Sequence, residues 1–224
     1  MEPFRPFELS LLRRSRGIWT RLHTEKVSGE NLRLGELYAW GKTMKIGVFI
    51  ERDGILNKVR LDRQHQLIPT TVPEFKINQS AAAPLKKLKA AGLMVFVTTN
   101  QPGLSRGYLS RCELDLMHMQ LKRAFPIDDL LVCPHDESDH CPCRKPKPGL
   151  FMESKFKWQL DMERSFVVSD KWQDAEAARA CGCTSVLLKS PWIGSVHHDF
   201  VMPSLSAAIG KILQLQTGNP LLAA

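Results

Sequence analysis

The chain has 224 residues, 31 Lys+Arg against 23 Asp+Glu, and 43% hydrophobic residues. That length suits one domain with an appendage and buries enough core to fold without disulfides or metal. Ordinary shares of charged (24%) and aromatic (8%) residues exclude a disordered, collagen-like or coiled-coil chain. No stretch approaches the roughly 20 apolar residues that span a bilayer, and the net charge of +8 suits a nucleic acid, a membrane surface or a phosphorylated small molecule without choosing among them.

Residues 1–43 carry eight Lys+Arg and five Glu. Arg13, Arg14, Arg16 and Arg21 stand among Leu11, Leu12, Ile18, Trp19 and Leu22. An Arg-rich start is compatible with an organelle transit peptide, but the glutamates argue against one. The reading adopted is a basic extension over 1–43, a main domain over 44–216 and a tail over 217–224, with Met44 as an alternative beginning. Binding of nucleic acid is not expected, because the basic segment lacks interleaved aromatics and a known motif.

From Lys45 onward, short apolar runs alternate with helical patterns. Residues 46–50 read as a strand buried on both faces. Residues 81–91 read as a helix with Leu85 and Leu88 on one face, Ser80 as its N-cap and Gly92 as its stop, Pro84 being tolerable only in the first turn. Residues 93–98 read as a second strand. Ser110 and Glu113 form a capping-box pattern that opens a helix to about Phe125. Residues 130–132 are a third strand, followed by a helix after Pro148-Gly149. Residues 166–168 are a fourth strand, 174–181 a helix ending at Gly182, 185–188 a fifth strand, and 204–215 a last helix. This alternation predicts an α/β fold, a doubly wound, mostly parallel sheet with helices on both faces. Ligands of such sheets bind at the carboxyl ends of the strands. Reactive residues stand there: Glu51-Arg52-Asp53-Gly54, Thr99-Asn100-Gln101, Cys133-Pro134-His135 and Ser169-Asp170-Lys171, with the basic Arg144-Lys145 between strands three and four. Carboxylates that attack, move protons and hold a hard cation, with a hydroxyl and a lysine to offset anionic charge, are what transfer of a phosphoryl group to water requires.

Residues 45–215 resemble the haloacid dehalogenase-like phosphohydrolases, within them the D,D-heptose-1,7-bisphosphate phosphatase and histidinol-phosphatase subfamily. The carrying segments are 49–57, 99–108, 133–149 and 169–171. The resemblance implies a Mg²⁺-dependent phosphatase of a small sugar or polyol phosphate, with D-glycero-D-manno-heptose 1,7-bisphosphate as first candidate and histidinol phosphate as the alternative. It implies Asp53 as general acid/base and, through its carbonyl, a Mg²⁺ ligand. Thr99 is implied as phosphate binder, Lys145 as the group neutralising nucleophile and phosphate, and Asp170 as a Mg²⁺ ligand. Arg106 and Arg144 are implied to contact the remainder of the substrate, a second phosphate among the possibilities, and Asn100 and Gln101 to bind it by shaping the pocket. No large cap domain is expected between Asn57 and Ser80.

One departure stands out: Glu51 occupies the place of the family's nucleophilic aspartate. Its extra methylene shifts the carboxylate by up to about 1.5 Å. Three outcomes stay open: a displaced nucleophile, a carboxylate that activates water, or a weak or inactive relative that still binds a phosphorylated ligand.

Cys133, His135, Cys141 and Cys143 have the spacing C-x-H-x5-C-x-C. Three thiolates and an imidazole suit tetrahedral Zn²⁺, and four protein ligands leave no open position, so the expected role is structural. His140, His197 and His198 read as solvated, Cys112, Cys181 and Cys183 as unreactive, and Met117 and Met119 as helix packing. A reducing, cytoplasmic monomer is the expected setting.

Overall fold

The computed structural model describes residues 12–15, 18–21, 44–62 and 65–217, the first two segments by backbone alone. The chain divides into two compact units, 1–42 and 43–224. In the first, Leu12–Ser15 pairs antiparallel with Ile18–Arg21. The remainder of the basic extension and nearly all of the 217–224 tail lie outside the described residues.

In the second unit six strands form one sheet: β1 (Gly47–Glu51), β2 (Met94–Asn100), β3 (Asp129–Cys133), β4 (Phe166–Ser169), β5 (Thr184–Leu188) and β6 (Phe200–Met202). Their order is 6-5-4-1-2-3, and every neighbouring pair is parallel. The sheet is therefore wholly, not mostly, parallel. Five helices complete the layers: α1 (Ala82–Ala90), α2 (Arg111–Ala124), α3 (Gly149–Trp158), α4 (Trp172–Cys181) and α5 (Leu205–Thr217).

Strand side chains alternate between two apolar layers, as a pleat covered on both faces requires. Val48, Ile50, Val95, Val97 and Val168 pack with Leu85 of α1, Leu114 and Leu121 of α2 and Ile209 of α5. Phe49, Phe96 and Val167 pack with Phe151 of α3 and Ala178 of α4. The Phe49 ring centroid lies 5.0 Å from those of Phe96 and Phe151.

Several local expectations shift. Ser80 does not cap α1: a 3₁₀ turn, Gln79–Ala81, precedes the helix, Ala81 is its N-cap, and the Ser80 hydroxyl donates to Asn78 Oδ1 at 2.7 Å. Pro84 falls in the first helical turn, where a missing N–H removes no helical bond. Ser110 caps α2 by accepting from the Glu113 N–H, but Glu113 does not reach back; its carboxylate accepts from the Val72 N–H and ties α2 to the preceding loop. The edge strand β6 adds to the five strands expected from the sequence; its run Phe200-Val201-Met202 lies between His197-His198-Asp199 and Pro203.

No cap domain interrupts the β1–α1 connection. It holds two small ribbons instead, Asn57–Lys58 paired with Lys76–Ile77 and Arg60–Asp62 paired with His65–Leu67. Among the described residues no helix is long and apolar enough to cross a membrane. The strand order reverses between β1 and β4, so this topology places its crevice beyond Glu51 and Ser169.

Candidate active site

Glu51 ends β1, almost wholly buried, and its carboxylate turns back on the chain. Oε1 accepts from the Asp53 N–H at 3.3 Å, and Oε2 accepts from Lys145 Nζ. Lys145 Nζ also donates to Asp174 Oδ1 at 2.7 Å and lies 3.5 Å from Thr98 Oγ1. Burial pushes the Glu51 carboxyl above its usual range, with Lys145 and Lys171 opposing that rise. Burial alone would lower the Lys145 ammonium, but the Asp174 and Glu51 charges outweigh it and raise it. Lys145 sits 94 residues from Glu51, held by Asn100 of β2, which donates through Nδ2 to the Lys145 carbonyl (3.1 Å) and accepts the Lys145 N–H (3.2 Å). Gly149 lets α3 approach this loop: a Cβ there would lie 2.4 Å from the Pro142 carbonyl oxygen. Asp174, an acid that follows the strand-four end in the sequence without a role of its own there, also accepts from the Ser169 hydroxyl at 2.9 Å. Its four-residue spacing from Asp170, one turn into a helix, was the available signal.

Asp53 is enclosed on all sides. Its carboxylate accepts from Arg52 Nε and Nη2 (2.9–3.2 Å), Asn57 Nδ2 (3.1 Å), Thr99 Oγ1 (3.0 Å) and Gln101 Nε2 (2.8 Å). Burial alone would raise this carboxyl, but the Arg52 charge and hydrogen bonds hold it below its usual value. Thr99 and Gln101 thus meet Asp53, and neither lines the cavity over Glu51. The Arg52 guanidinium is fully buried over the Phe75 ring, with Nη1 3.1 Å from His118 Nε2.

Burial, with the Arg52 charge beside it, pushes the His118 imidazole from 6.5 down to about 3. Between those values the unfolded chain binds a proton that the folded chain does not. Stability is therefore full above the unfolded value and lost as pH falls, at up to about 1.4 kcal/mol per pH unit. His118→Gln is expected to flatten the dependence of melting temperature on pH between about 6.5 and 4; an unchanged slope would assign the acid sensitivity elsewhere.

A cation cage lies beside these groups. Lys171 Nζ donates to the Asp53 carbonyl at 2.6 Å and to Asp170 Oδ1 at 3.1 Å, and stands 3.9 Å from Glu51 Oε1. Gln66, from the Arg60–Leu67 ribbon region, donates to Asp170 Oδ2 at 3.0 Å. Gly54, at φ +95°, brings the turn so close that a Cβ would sit 3.0 Å from Asp170 Oδ2. Two carboxylates and a carbonyl converging on one ammonium are hard oxygen donors of the kind that suit Mg²⁺.

A cavity of about 480 Å³ opens over Glu51, Asp53, Lys145 and Lys171. Asn100 and Arg144 line it, whereas Gln101 and Arg106 line a neighbouring groove. Arg144 Nη1 donates to the His135 carbonyl at 3.2 Å. The Arg106 guanidinium is paired through two nitrogens with the Asp136 carboxylate, at 2.7 and 2.5 Å.

Cys133, His135, Cys141 and Cys143 gather as their spacing implies, with donor atoms all within 4.8 Å of one another. The three sulfurs are 3.4–3.6 Å apart, and His135 Nδ1 is 3.2 Å from Cys143 Sγ. Zinc with ~2.3 Å bonds to sulfur would place the sulfurs roughly 3.8 Å apart, so this donor set fits a closed tetrahedral ion with little adjustment.

A family model described as HAD-hydrolase-like matches residues 142–194. Over 148 residues the chain is 34% identical to the D-glycero-beta-D-manno-heptose-1,7-bisphosphate 7-phosphatase of Pseudomonas aeruginosa, covering 64% of this chain and 80% of that one. It is 34% identical over 167 residues to the D-glycero-alpha-D-manno-heptose-1,7-bisphosphate 7-phosphatase of Mycobacterium bovis, covering 66% and 82%. The fold is similar to the crystal structure of D,D-heptose 1,7-bisphosphate phosphatase from B. bronchiseptica complexed with magnesium and phosphate, with a TM-score of 0.67, 25% identity, and coverage of 76% and 99%.

Proposed function

Because this chain belongs to the haloacid dehalogenase-like phosphatases of the heptose-1,7-bisphosphate type, we propose that it hydrolyses a small sugar phosphate monoester, D-glycero-D-manno-heptose 1,7-bisphosphate at the 7-phosphate. The observation that carries this is the convergence of Glu51, Asp53, Lys145, Lys171 and Asp174 on one cavity at the carboxyl ends of β1 and β4, with Asp170 paired to Lys171.

In this reading the Glu51 carboxylate attacks phosphorus, the ester P–O bond breaks, and Asp53 hands a proton to the departing oxygen. Asp53 then takes a proton from the water that cleaves the acyl phosphate, which frees phosphate and restores Glu51. Lys145 orients Glu51 and offsets charge on the transferring group. Asn100 positions Lys145 through its backbone. A bound Mg²⁺, held by Glu51, the Asp53 carbonyl and Asp170, would neutralise the phosphoryl oxygens.

Two observations support a slow enzyme or a phosphate-binding module as a second reading. Both Glu51 oxygens already have hydrogen-bond partners, and the Asp53 carboxyl is held in its ionised form, which cannot donate a proton. Phosphate release from heptose bisphosphate, with histidinol phosphate as comparison, separates the readings. Mg²⁺-dependent release that falls to background in Asp170→Asn is expected. Retained phosphate binding without any release would establish the binding module.

We assign the Cys133–His135–Cys141–Cys143 cluster to one structural Zn²⁺. It ties down the loop that carries Arg144 and Lys145, and that loop is joined to the 101–109 segment by Arg106–Asp136 and by Ser105 Oγ–Asp139 at 2.9 Å. The purified protein is expected to hold about one equivalent of zinc, lost in Cys141→Ser with a fall in melting temperature. A zinc-free protein of equal stability would overturn the assignment.

A further inference from the structure

The residues that α2 buries are Leu114, Met117, His118 and Leu121. Three are apolar, as the inward face of a helix over a sheet requires. His118 is the exception: it is buried, and the reaction proposed above gives it no part. Its partner is Arg52, 66 residues earlier, whose Nη1 lies 3.1 Å from His118 Nε2. A guanidinium has donors only, so Nε2 accepts and the ring proton sits on Nδ1. That is the neutral imidazole, the form in which burial and the Arg52 charge hold His118.

Arg52 is fully buried and held from three sides. Its Nε and Nη2 each lie 2.9–3.2 Å from both carboxylate oxygens of Asp53. Its guanidinium carbon stands 5.5 Å from the centroid of the Phe75 ring, and Nη1 meets His118. Asp53 has other donors besides: Asn57, Thr99 and Gln101 each supply one. What the planar fork adds is direction, because paired bonds from one rigid group fix the plane of a carboxylate. The fork can do this only if its own far end is held, by the Phe75 face and by His118 at the tip. Neither Arg52 nor His118 lines the cavity over Glu51, whereas Asp53 does. The chain His118–Arg52–Asp53 therefore runs from the inner face of α2 to a reacting group.

We propose that His118 is a positioning residue for the hydrolysis: acting through Arg52, it fixes the plane in which Asp53 presents its carboxylate to the cavity. The proposal rests on the reading above in which Asp53 moves the proton. A buried polar pair that serves packing alone is replaceable by apolar side chains with little loss; one that aims a reacting group is not.

Mg²⁺-dependent phosphate release from heptose bisphosphate by the full chain tests it, with each variant assayed below its melting temperature. His118→Leu, which leaves Nη1 without an acceptor, is expected to lower kcat about ten-fold, a part of the ~100-fold that follows from a full ångström of misplacement. KM should stay within about two-fold, because the lost interaction is not with bound substrate. His118→Gln offers an amide oxygen to Nη1 and should keep kcat within about three-fold of the parent. Arg52→Lys, which loses the fork, should lower kcat on its own, and adding His118→Leu to it should change kcat by less than about two-fold, since the two residues act as one chain. Where His118→Leu does not fold, His118→Ala takes its place with the same expected direction. A folded His118→Leu protein with the parental kcat overturns the proposal. So does a loss carried by KM, a loss that His118→Gln does not repair, additive losses in the double variant, or a rise in kcat, which would make the pair a restraint on Asp53. A parent chain that releases no phosphate in this assay would instead remove the hydrolytic reading, and this proposal with it.

Discussion

Glu51→Asp raises the rate of phosphate release, on the order of 100-fold, when the glutamate is a nucleophile set back from its target, because a misplacement near 1 Å has about that effect on an aligned displacement. The extra methylene moves the carboxylate by up to about 1.5 Å. It also lets Glu51 fold back to accept the Asp53 N–H while Oε2 meets Lys145. Aspartate keeps the charge beside Lys145, which Asn100 and Asp174 hold in place independently of Glu51. The gain should appear in kcat at saturating Mg²⁺, with Glu51→Gln inactive as the control for charge. A fall in kcat for Glu51→Asp would show that the longer side chain has its own fitted role, most simply in activating water.

Lys145→Met is expected to destabilise the fold by about 3–5 kcal/mol, since it leaves Glu51 and Asp174 buried without their shared cation. For a chain of this size that lowers the melting temperature on the order of 10 °C. The Lys145 ammonium is raised in the folded state, so the stability it contributes is fully present at neutral pH and would be lost only as pH rises through its folded value. In the variant the Glu51 carboxyl, already raised by burial and no longer opposed by Lys145, should titrate higher still. The deficit against the parent protein should therefore shrink as pH is lowered toward about 4, where Glu51 becomes protonated in both states. A deficit independent of pH would mean that lost packing, not unpaired charge, is responsible.

The first five strands were legible because parallel strands covered on both faces read as unbroken apolar runs, such as Val48-Phe49-Ile50 and Val95-Phe96-Val97. The edge strand β6 does carry a short apolar run, Phe200-Val201-Met202, but none of the three residues is fully buried and His197-His198-Asp199 precede it, so the run does not stand out from a loop. The ribbons between Asn57 and Ile77 are two or three residues long and are set by their cross-strand partners rather than by a run of buried residues. Ser80 shows the limit of local capping rules: a serine before a helical pattern predicts a cap only if the helix starts at the next residue.

At the site, the types of the reactive residues and their places after strands could be read from the chain, because a parallel sheet puts every strand's carboxyl end on the same edge. The cysteine and histidine spacing likewise sufficed for the metal-type cluster, whose ligands lie at the end of β3 and in the loop that follows it. Which group faces which could not be read. Lys145 meets Glu51 across 94 residues, Lys171 meets the Asp53 carbonyl across 118, Gln66 meets Asp170 across 104, and Arg52 meets His118 across 66. These pairings depend on the order of the strands and on competition among buried charges for a limited set of partners, where each unpaired group would carry a heavy desolvation penalty. Thr99 and Gln101 turn to Asp53 instead of the cavity for that reason. Local sequence, through burial pattern and residue chemistry, specified the elements and the reagents; the tertiary fold alone distributed the protons, the ion pairs and the walls of the pocket, because those follow from distances in space that no spacing along the chain encodes.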